Sequence, residues 1–441
     1  MTSERLIKPW KPSARKAYQL KNASVVDPVT GTIFPNMTVV IADGVIDSME
    51  YIGGLPSLVR SQHVVDLQGK YLCPGLIDAH VHVTAVPGSS SLAGSITTDP
   101  LVSLTRQPFV LSQMLSRGFT TVRDCGGASL ALKQAVADHV FPGPRLFIAN
   151  HALSQTGGHA DFRGPHDHTE CCGGHVTGLG VLCDGVPECI KAAREQLRTG
   201  ADFIKIMCGG GVASPTDALE NTQFTAEEVR AVVEVAESYG TWVTAHAYTA
   251  KAIRHAVENG VKGIEHGNFV DQATAKLMAE KGVFLTPTLI AYDAMKSPRF
   301  PRFLPPESEA KNRQVLAKGL SALQIASEAG VTMCYGSDLL GPLGVEQTKE
   351  FGLRAKVLSN KQVLQSATVN PAKMLRQDKF LGQIRSRFAA DLLILNENPL
   401  ENIKIFDSPE KHLLAVIKDG RVYHSRWSKL PVEAEAVEMI E

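Results

Sequence analysis

Two histidines, His80 and His82, stand one residue apart in "PGLIDAHVHV" (74–83), an apolar run that otherwise reads as a buried strand. Side chains two apart on a strand point the same way, so the pair can grip one cation. The pair alone leaves two readings open, hydrogen-bonded core residues or metal ligands. Further along, Lys205 lies in "FIKIM", His246 in "TAHAYT", His266 in "IEHGN" and Asp338 in "YGSDLL". Imidazole and carboxylate donors together suit zinc, with manganese, nickel or iron as alternatives. Lys205 shares its strand face with Phe203 and Met207, where a charged amine is costly to bury. A neutral amine there can take up carbon dioxide as a carbamate, an anion whose two oxygens can bridge two metal ions. Its other possible role is a Schiff-base nucleophile, which the histidines on both sides of it in the series disfavour.

These residues need elements that deliver them to one place. From about 73 to 375, short apolar runs alternate with helical stretches: "LIDAHVHV", "FTTVRDCGG", "RLFIANHALSQ", "FIKIMCGGG", "WVTAHAYT", "GIEHGN", "VFLTPTLIAY" and "TMCYGSDLL". Helical periodicity is clearest over 225–240 and 311–330, with Thr225 as N-cap, Glu228 completing a capping box and Gly240 as terminator. Eight such runs predict a (β/α)8 barrel, in which active sites collect at the C-terminal strand ends. A doubly wound open sheet is the runner-up, and no GxGxxG opening supports it. Residues 17–72 read as a small β-meander with a tight "ADG" turn, and 376–430 carry matching strands. Both chain ends are therefore expected to build one small β-sandwich domain, with 1–16 as an arm and 431–441 as a tail.

Composition narrows the partners. Lysine plus arginine balances aspartate plus glutamate at 45 each, and 44% of the residues are hydrophobic. A neutral chain without charge blocks points away from nucleic acid and anionic membranes, and towards a small-molecule substrate. No run approaches the roughly 20 apolar residues of a membrane span, and the first residues lack the apolar core of a secretory signal. Eight scattered cysteines then read as reduced thiols, and the expected location is the cytoplasm.

Taken in order, "GLIDAHVHV", "FIKIMCGGG", "TAHAYT", "IEHGN" and "YGSDLL" resemble the strand-end motifs of the amidohydrolase superfamily. "ATVNPAKMLRQ" (367–377) and "ADLLILNENPLENI" (390–403) match its C-terminal section, so the resemblance spans about 18–425. Arg387 departs from the pattern, which commonly has glycine before the "ADL" strand. The resemblance implies a binuclear metal centre, with zinc as the expected metal. His80, His82 and Asp338 would hold one ion, and His246 and His266 the other. Lys205, carbamylated, would bridge them. Asp338 would carry the proton from a water to the leaving group. Hydrolysis of an amide or ester-like bond is the implied reaction, and assembly into a homo-oligomer is expected on the same ground.

A second cluster, "ANHALSQTGGHADFRGPHDHTECCGGH" (149–175), follows the third run. Its "SQTGGHAD" resembles the branch of prolidase-like metallo-carboxypeptidases, imidazolonepropionase-like amidohydrolases and ochratoxinase-like amidases. There His159 would approach the substrate carbonyl and Tyr248 the substrate carboxylate. The expected substrate is a small N-acyl amino acid or dipeptide; a cyclic amide, a lactone or a decarboxylation is the alternative within the superfamily, and a binding protein that has lost catalysis is the alternative outside it. The same cluster, with Cys171 and Cys172, admits a structural zinc site as a second reading. The triple glycine 209–211 admits a phosphate cradle, although close backbone approach beside the metals fits better.

Overall fold

The computed structural model describes residues 6–51, 63–167 and 178–433. Its strands begin with β1 (Tyr18–Asp27), β2 (Thr32–Ala42), β3 (Val45–Tyr51), β4 (His63–Asp66) and β5 (Tyr71–Pro74). The middle of the chain adds β6 (Leu76–Val81), β7 (Phe119–Asp124), β8 (Arg145–Ile148), β9 (Ala152–Ser154) and β10 (Gly180–Leu182). Next come β11 (Ile204–Met207), β12 (Val243–Thr249), β13 (Gly263–Phe269) and β14 (Phe284–Thr286). The far end supplies β15 (Leu392–Leu395), β16 (Leu413–Lys418) and β17 (Arg421–Ser425).

Both chain ends meet in one eight-stranded sheet, β17–β16–β15–β5–β1–β2–β3, with β4 also on β1. The seam is antiparallel, with Leu392 opposite Pro74 and Leu395 opposite Tyr71. Leu20, Val39, Leu72, Leu392 and Ile417 give this sheet an apolar core of its own. Asp43 and Gly44, at φ 51° and 85°, make the tight β2–β3 turn that "ADG" predicts. The first five strands are not a plain meander, because β4 and β5 both run parallel to β1. A parallel return needs a crossover, and short alternating runs carry no sign of one. Arg387 sits at φ 70°, a conformation glycine adopts freely, so its departure from the family pattern costs roughly 1 kcal/mol of backbone strain. Residues 6–16 lie outside the sheets, pinned by Lys8 Nζ at 2.9 Å from Asp138.

In the middle, every ladder is parallel, β6–β7–β8 in one sheet and β10–β9–β11–β12–β13–β14 in another. The two sheets join where Asp202 N–H donates to Ile148 O at 2.8 Å. On the other side, residues 332–338 bond both neighbours: Cys334 N–H to Leu285 O, Ala79 N–H to Tyr335 O and Asp338 N–H to His80 O, each at 2.8 Å. Strands such as β6, β7 and β11 are buried along their whole length, as parallel strands between helices must be. The fold is TIM-barrel-like α/β.

Two of the eight apolar runs divide. "RLFIANHALSQ" breaks at Asn150, φ 57°, into β8 and β9. "VFLTPTLIAY" leaves the strand at Thr286 and becomes the helix Leu289–Lys296, because Pro287 ends the ladder. The helix Ala226–Ser238 has the Thr225–Glu228 capping box, with Gly240 at φ 71° beyond it. The helix Pro306–Glu328 starts five residues before the periodicity suggests, at a proline whose missing N–H costs nothing in the first turn. Among the described residues no helix is long and apolar enough to cross a membrane. The six described cysteines are buried and none forms a disulfide. Cys171, Cys172 and most of the 431–441 tail lie outside the described residues.

Candidate metal centre

The strand ends bring all six sequence-predicted ligands, with His159 and Tyr248, to the wall of one cavity. Nε2 of His80 and of His82 lie 3.4 and 3.3 Å from the same oxygen, Asp338 Oδ1. His266 Nδ1 is 3.9 Å from Asp338 Oδ2, and the His246 ring centroid is 4.6 Å from that of His266. Two of these residues carry left-handed backbone, His266 at φ 75° and Asp338 at φ 51°. Such conformations cost about 1–3 kcal/mol in a non-glycine residue and gather at functional sites.

Lys205 is 1% exposed, and its Nζ has no hydrogen-bond partner among the described residues. Burial pushes the amine below its ordinary value, towards the neutral form that carbamylation requires. His80, His266 and Asp338 offer donor atoms within 4.8 Å of one another. A buried amine with nothing to bond, facing histidines and a carboxylate, fits a divalent metal pair.

The tautomers agree. His82 Nδ1 lies 2.8 Å from Gly126 O, and a carbonyl only accepts, so Nδ1 carries the proton and Nε2 is free. His80 Nδ1 donates to Glu265 Oε2 at 2.8 Å, with the same result. His246 is reversed: Nε2 donates to Gly210 O at 3.2 Å, which frees Nδ1. Glu265 also takes Arg123 Nη2 at 2.6 Å and the Thr244 hydroxyl. Burial works against its charge, yet Arg123, Lys205 and His80 hold its carboxyl well below the usual range.

His159 is oriented from behind. Its Nδ1 lies 2.7 Å from Ser214 Oγ, and the Ser214 hydroxyl donates in turn to Asp217 Oδ1. Ser214 has one proton and spends it on Asp217, so His159 Nδ1 is the donor. The ring stacks on His246 at 4.1 Å between centroids. Lys311 Nζ pins the surrounding loop through the carbonyls of Gly211, Ser214 and Asp217 at 3.1, 3.0 and 2.6 Å. Gly211 is required by contact, because a Cβ there would meet His159 Cε1 at 1.8 Å. At Gly210 it would meet Ala218 O at 1.9 Å. The triple glycine therefore serves close packing. Tyr248 accepts from the Tyr292 hydroxyl at 3.0 Å, and that oxygen also lies 2.9 Å from His266 Nδ1. Ile96, Phe162, Leu179, Met295 and Leu340 complete an apolar rim.

Glu265, Arg123, Ser214, Asp217 and Tyr292 were not singled out from sequence. A charged residue inside an apolar strand run, as in "FTTVRD" and "GIEHGN", was the available signal for the first two. The alternative zinc site at Cys171 and Cys172 falls outside the described residues.

Comparison with known proteins places these features in context. The amidohydrolase family matches residues 71–423. The ochratoxinase of Aspergillus niger is 32% identical over 418 residues, covering 91% of this chain and 85% of that one. A prolidase complexed with N-methylphosphonate-L-proline is 42% identical, with a TM-score of 0.89 over 93% of this chain and 100% of that one. A Xaa-Pro dipeptidase with methionine in its active site is 30% identical, with a TM-score of 0.82 over 93% of this chain and 100% of that one.

Proposed function

The chain belongs to the amidohydrolase family, as a hydrolase of amide bonds, and from that premise we propose that it cleaves small N-acyl amino acids or dipeptides at a binuclear zinc centre without thiolate ligands.

 The donors are imidazole nitrogens and carboxylate or carbamate oxygens, a set that suits two zinc ions. The observation that carries this reading is the orphaned, buried Nζ of Lys205 among those donors. His80, His82 and Asp338 would hold one ion, His246 and His266 the other, with carbamylated Lys205 between them. Such a pair supplies Lewis-acid polarisation of the scissile carbonyl and a lowered pKa for a water.

The chain's own residues supply the rest. Asp338 accepts the proton of the attacking water and returns it to the leaving nitrogen. His159, with Nδ1 held by Ser214, presents Nε2 to the substrate carbonyl. Tyr248 contacts the substrate carboxylate, as its place beside His246 and His266 allows. The apolar rim excludes water and favours an apolar acyl or N-terminal side chain. The prolidase and Xaa-Pro dipeptidase relatives support the dipeptide class, and the ochratoxinase supports the N-acyl class. This reading takes the parallel strands as a closed (β/α)8 barrel, the terminal sheet as a sandwich-like domain, and the protein as a cytoplasmic homo-oligomer.

The test is a panel of Xaa-Pro and other dipeptides, N-acyl amino acids and aryl amides, run on enzyme of measured metal content. Release of a free amino acid is the expected result. Ring opening of a cyclic amide or lactone, or carbon dioxide release, with no amino acid freed from any amide, would overturn it.

A further inference from the structure

A second cavity, of about 300 Å3, lies beside the metal centre. Phe109, Val110 and Met114 of the helix Pro100–Ser116 form one wall, and Leu339, Pro342 and Val345 the other. Phe109 and Val345 on its lining are 59% and 51% exposed, so the cavity opens to solvent beside them. Its volume is at the lower end of the range for small-molecule pockets.

Two features distinguish it from a packing gap. Arg117 lines it, and no carboxylate among the described residues lies within ion-pair distance of that guanidinium. Among the described residues its one acceptor is Gln347 Oε1 at 3.4 Å, the long limit of a hydrogen bond. Burial lowers the guanidinium from its ordinary value, and Glu346, which lies beyond ion-pair distance and is paired with Arg299, offsets this only in part. At the inner end the cavity reaches His82, a ligand of the metal centre. A hydrogen-bonded chain makes a second connection: Gln347 Nε2 donates to Asp78 Oδ2 at 2.9 Å, and Asp78 Oδ1 accepts the amides of His80 and Ser337 at 3.2 and 3.1 Å.

We propose that this cavity binds a small carboxylate with an apolar body, Arg117 pairing with the carboxylate and Phe109, Val110 and Met114 packing the body. The guanidinium fork matches a carboxylate in two parallel hydrogen bonds. A wholly apolar ligand would leave Arg117 as it is, without a paired anion. A polyanion would bring more charge than one arginine neutralises and press it against apolar walls. An acid bound there touches His82, so its occupancy is felt at the metal centre. The proposal does not depend on which amide the enzyme cleaves.

Phenylacetate and phenylacetamide, titrated calorimetrically into the metal-loaded full chain, test it. Phenylacetate should bind saturably and the neutral amide at least about tenfold more weakly, as loss of a charge-assisted pair implies. Arg117→Gln should cause a similar loss with metal content unchanged. Should that variant fail to fold, Val345→Trp, at an exposed wall, fills the mouth and should block phenylacetate just as well. Binding that survives both substitutions, or that vanishes on metal removal while Arg117→Gln leaves it intact, would place the acid on the metals and overturn the proposal. So would light scattering that shows a dimer broken by Phe109→Glu, with no phenylacetate bound, since a second copy would then fill the cavity.

Discussion

Glu265 lies between a candidate metal ligand and a buried cation, with Oε2 2.8 Å from His80 Nδ1 and Oε1 2.6 Å from Arg123 Nη2. All three side chains are essentially removed from solvent. One carboxylate thus fixes the tautomer of His80 and neutralises a guanidinium that has no other counter-charge within reach among the described residues.

Glu265→Gln keeps the shape and removes the charge. Leaving Arg123 buried and unpaired should destabilise the protein by about 3–5 kcal/mol. Protein that still folds should bind metal about 10–100-fold more weakly, because His80 loses its charged orienting partner. Denaturant unfolding of the metal-free protein and a metal titration measure the two effects separately. An unchanged unfolding midpoint would contradict the role given to Arg123.

Lys205→Ala should lower the metal content from about two ions per chain and abolish turnover. Added short carboxylic acids, which can stand where the carbamate oxygens would, should restore part of both. Metal reconstitution of the chelated wild-type enzyme should depend on bicarbonate, whereas that of the variant should not. Elemental analysis with and without bicarbonate checks this, and full metal content in the variant would remove the bridge.

Gly211→Ala and Asp217→Asn separate His159 from the metals. The first pushes a methyl into the ring of His159, and the second leaves Ser214 only a neutral amide oxygen while setting an NH2 against the Gly211 and Gln223 donors, which loosens the loop that holds Ser214. Both should leave metal content unchanged and lower kcat by about 10–100-fold, the usual cost of losing an orienting partner. Ser214→Thr, which keeps the hydroxyl, should retain more activity than Ser214→Ala. Equal losses in those two variants would show that the hydroxyl does not orient the ring.

Asp419 ties the terminal sheet to β8. Burial opposes its charge, but Lys418 and Arg145 outweigh that effect and hold its carboxyl at about 2. An unfolded aspartate titrates near 3.9, so the native state binds the proton less readily. Stability from this group is therefore complete above about pH 4 and lost as the pH falls towards 2, about 2 kcal/mol in all. Asp419→Asn should lose that amount at neutral pH and show a smaller fall in stability across the same window. Asparagine tolerates the left-handed backbone at this turn, φ 47°, so the comparison isolates charge. Parallel unfolding curves of the two proteins at every pH would refute the assignment.

The candidate ligands were legible because each one interrupts an apolar run, and parallel strands deliver such interruptions to a common site. His80, Lys205, His246, His266 and Asp338 all follow that rule. Glu265 and Arg123 break the apolar pattern just as visibly, but their meaning lies in each other, and 142 positions separate them. Ser214 and Asp217 lie in a loop, where no periodicity reports which side chain faces inward. The parallel return of β4 and β5 was hidden for a related reason, since alternation reveals which face is buried but not which strand is the neighbour.

The seam between β5 and β15 has a consequence for how the chain reaches its native state. β5 waits for a partner that is synthesised roughly 300 residues later, and at about 5–20 residues per second the ribosome needs about 15–60 s to supply it. Throughout that interval the emerging chain presents an unpaired strand edge beside apolar residues such as Leu72. Contacts so distant in sequence also slow the search for the native topology once the chain is complete. Nascent-chain protection by chaperones should matter more for this protein than for one whose sheets close locally, and a frameshift that removes only the last fifty residues would take away β15, β16 and β17 and leave the β5 edge permanently open.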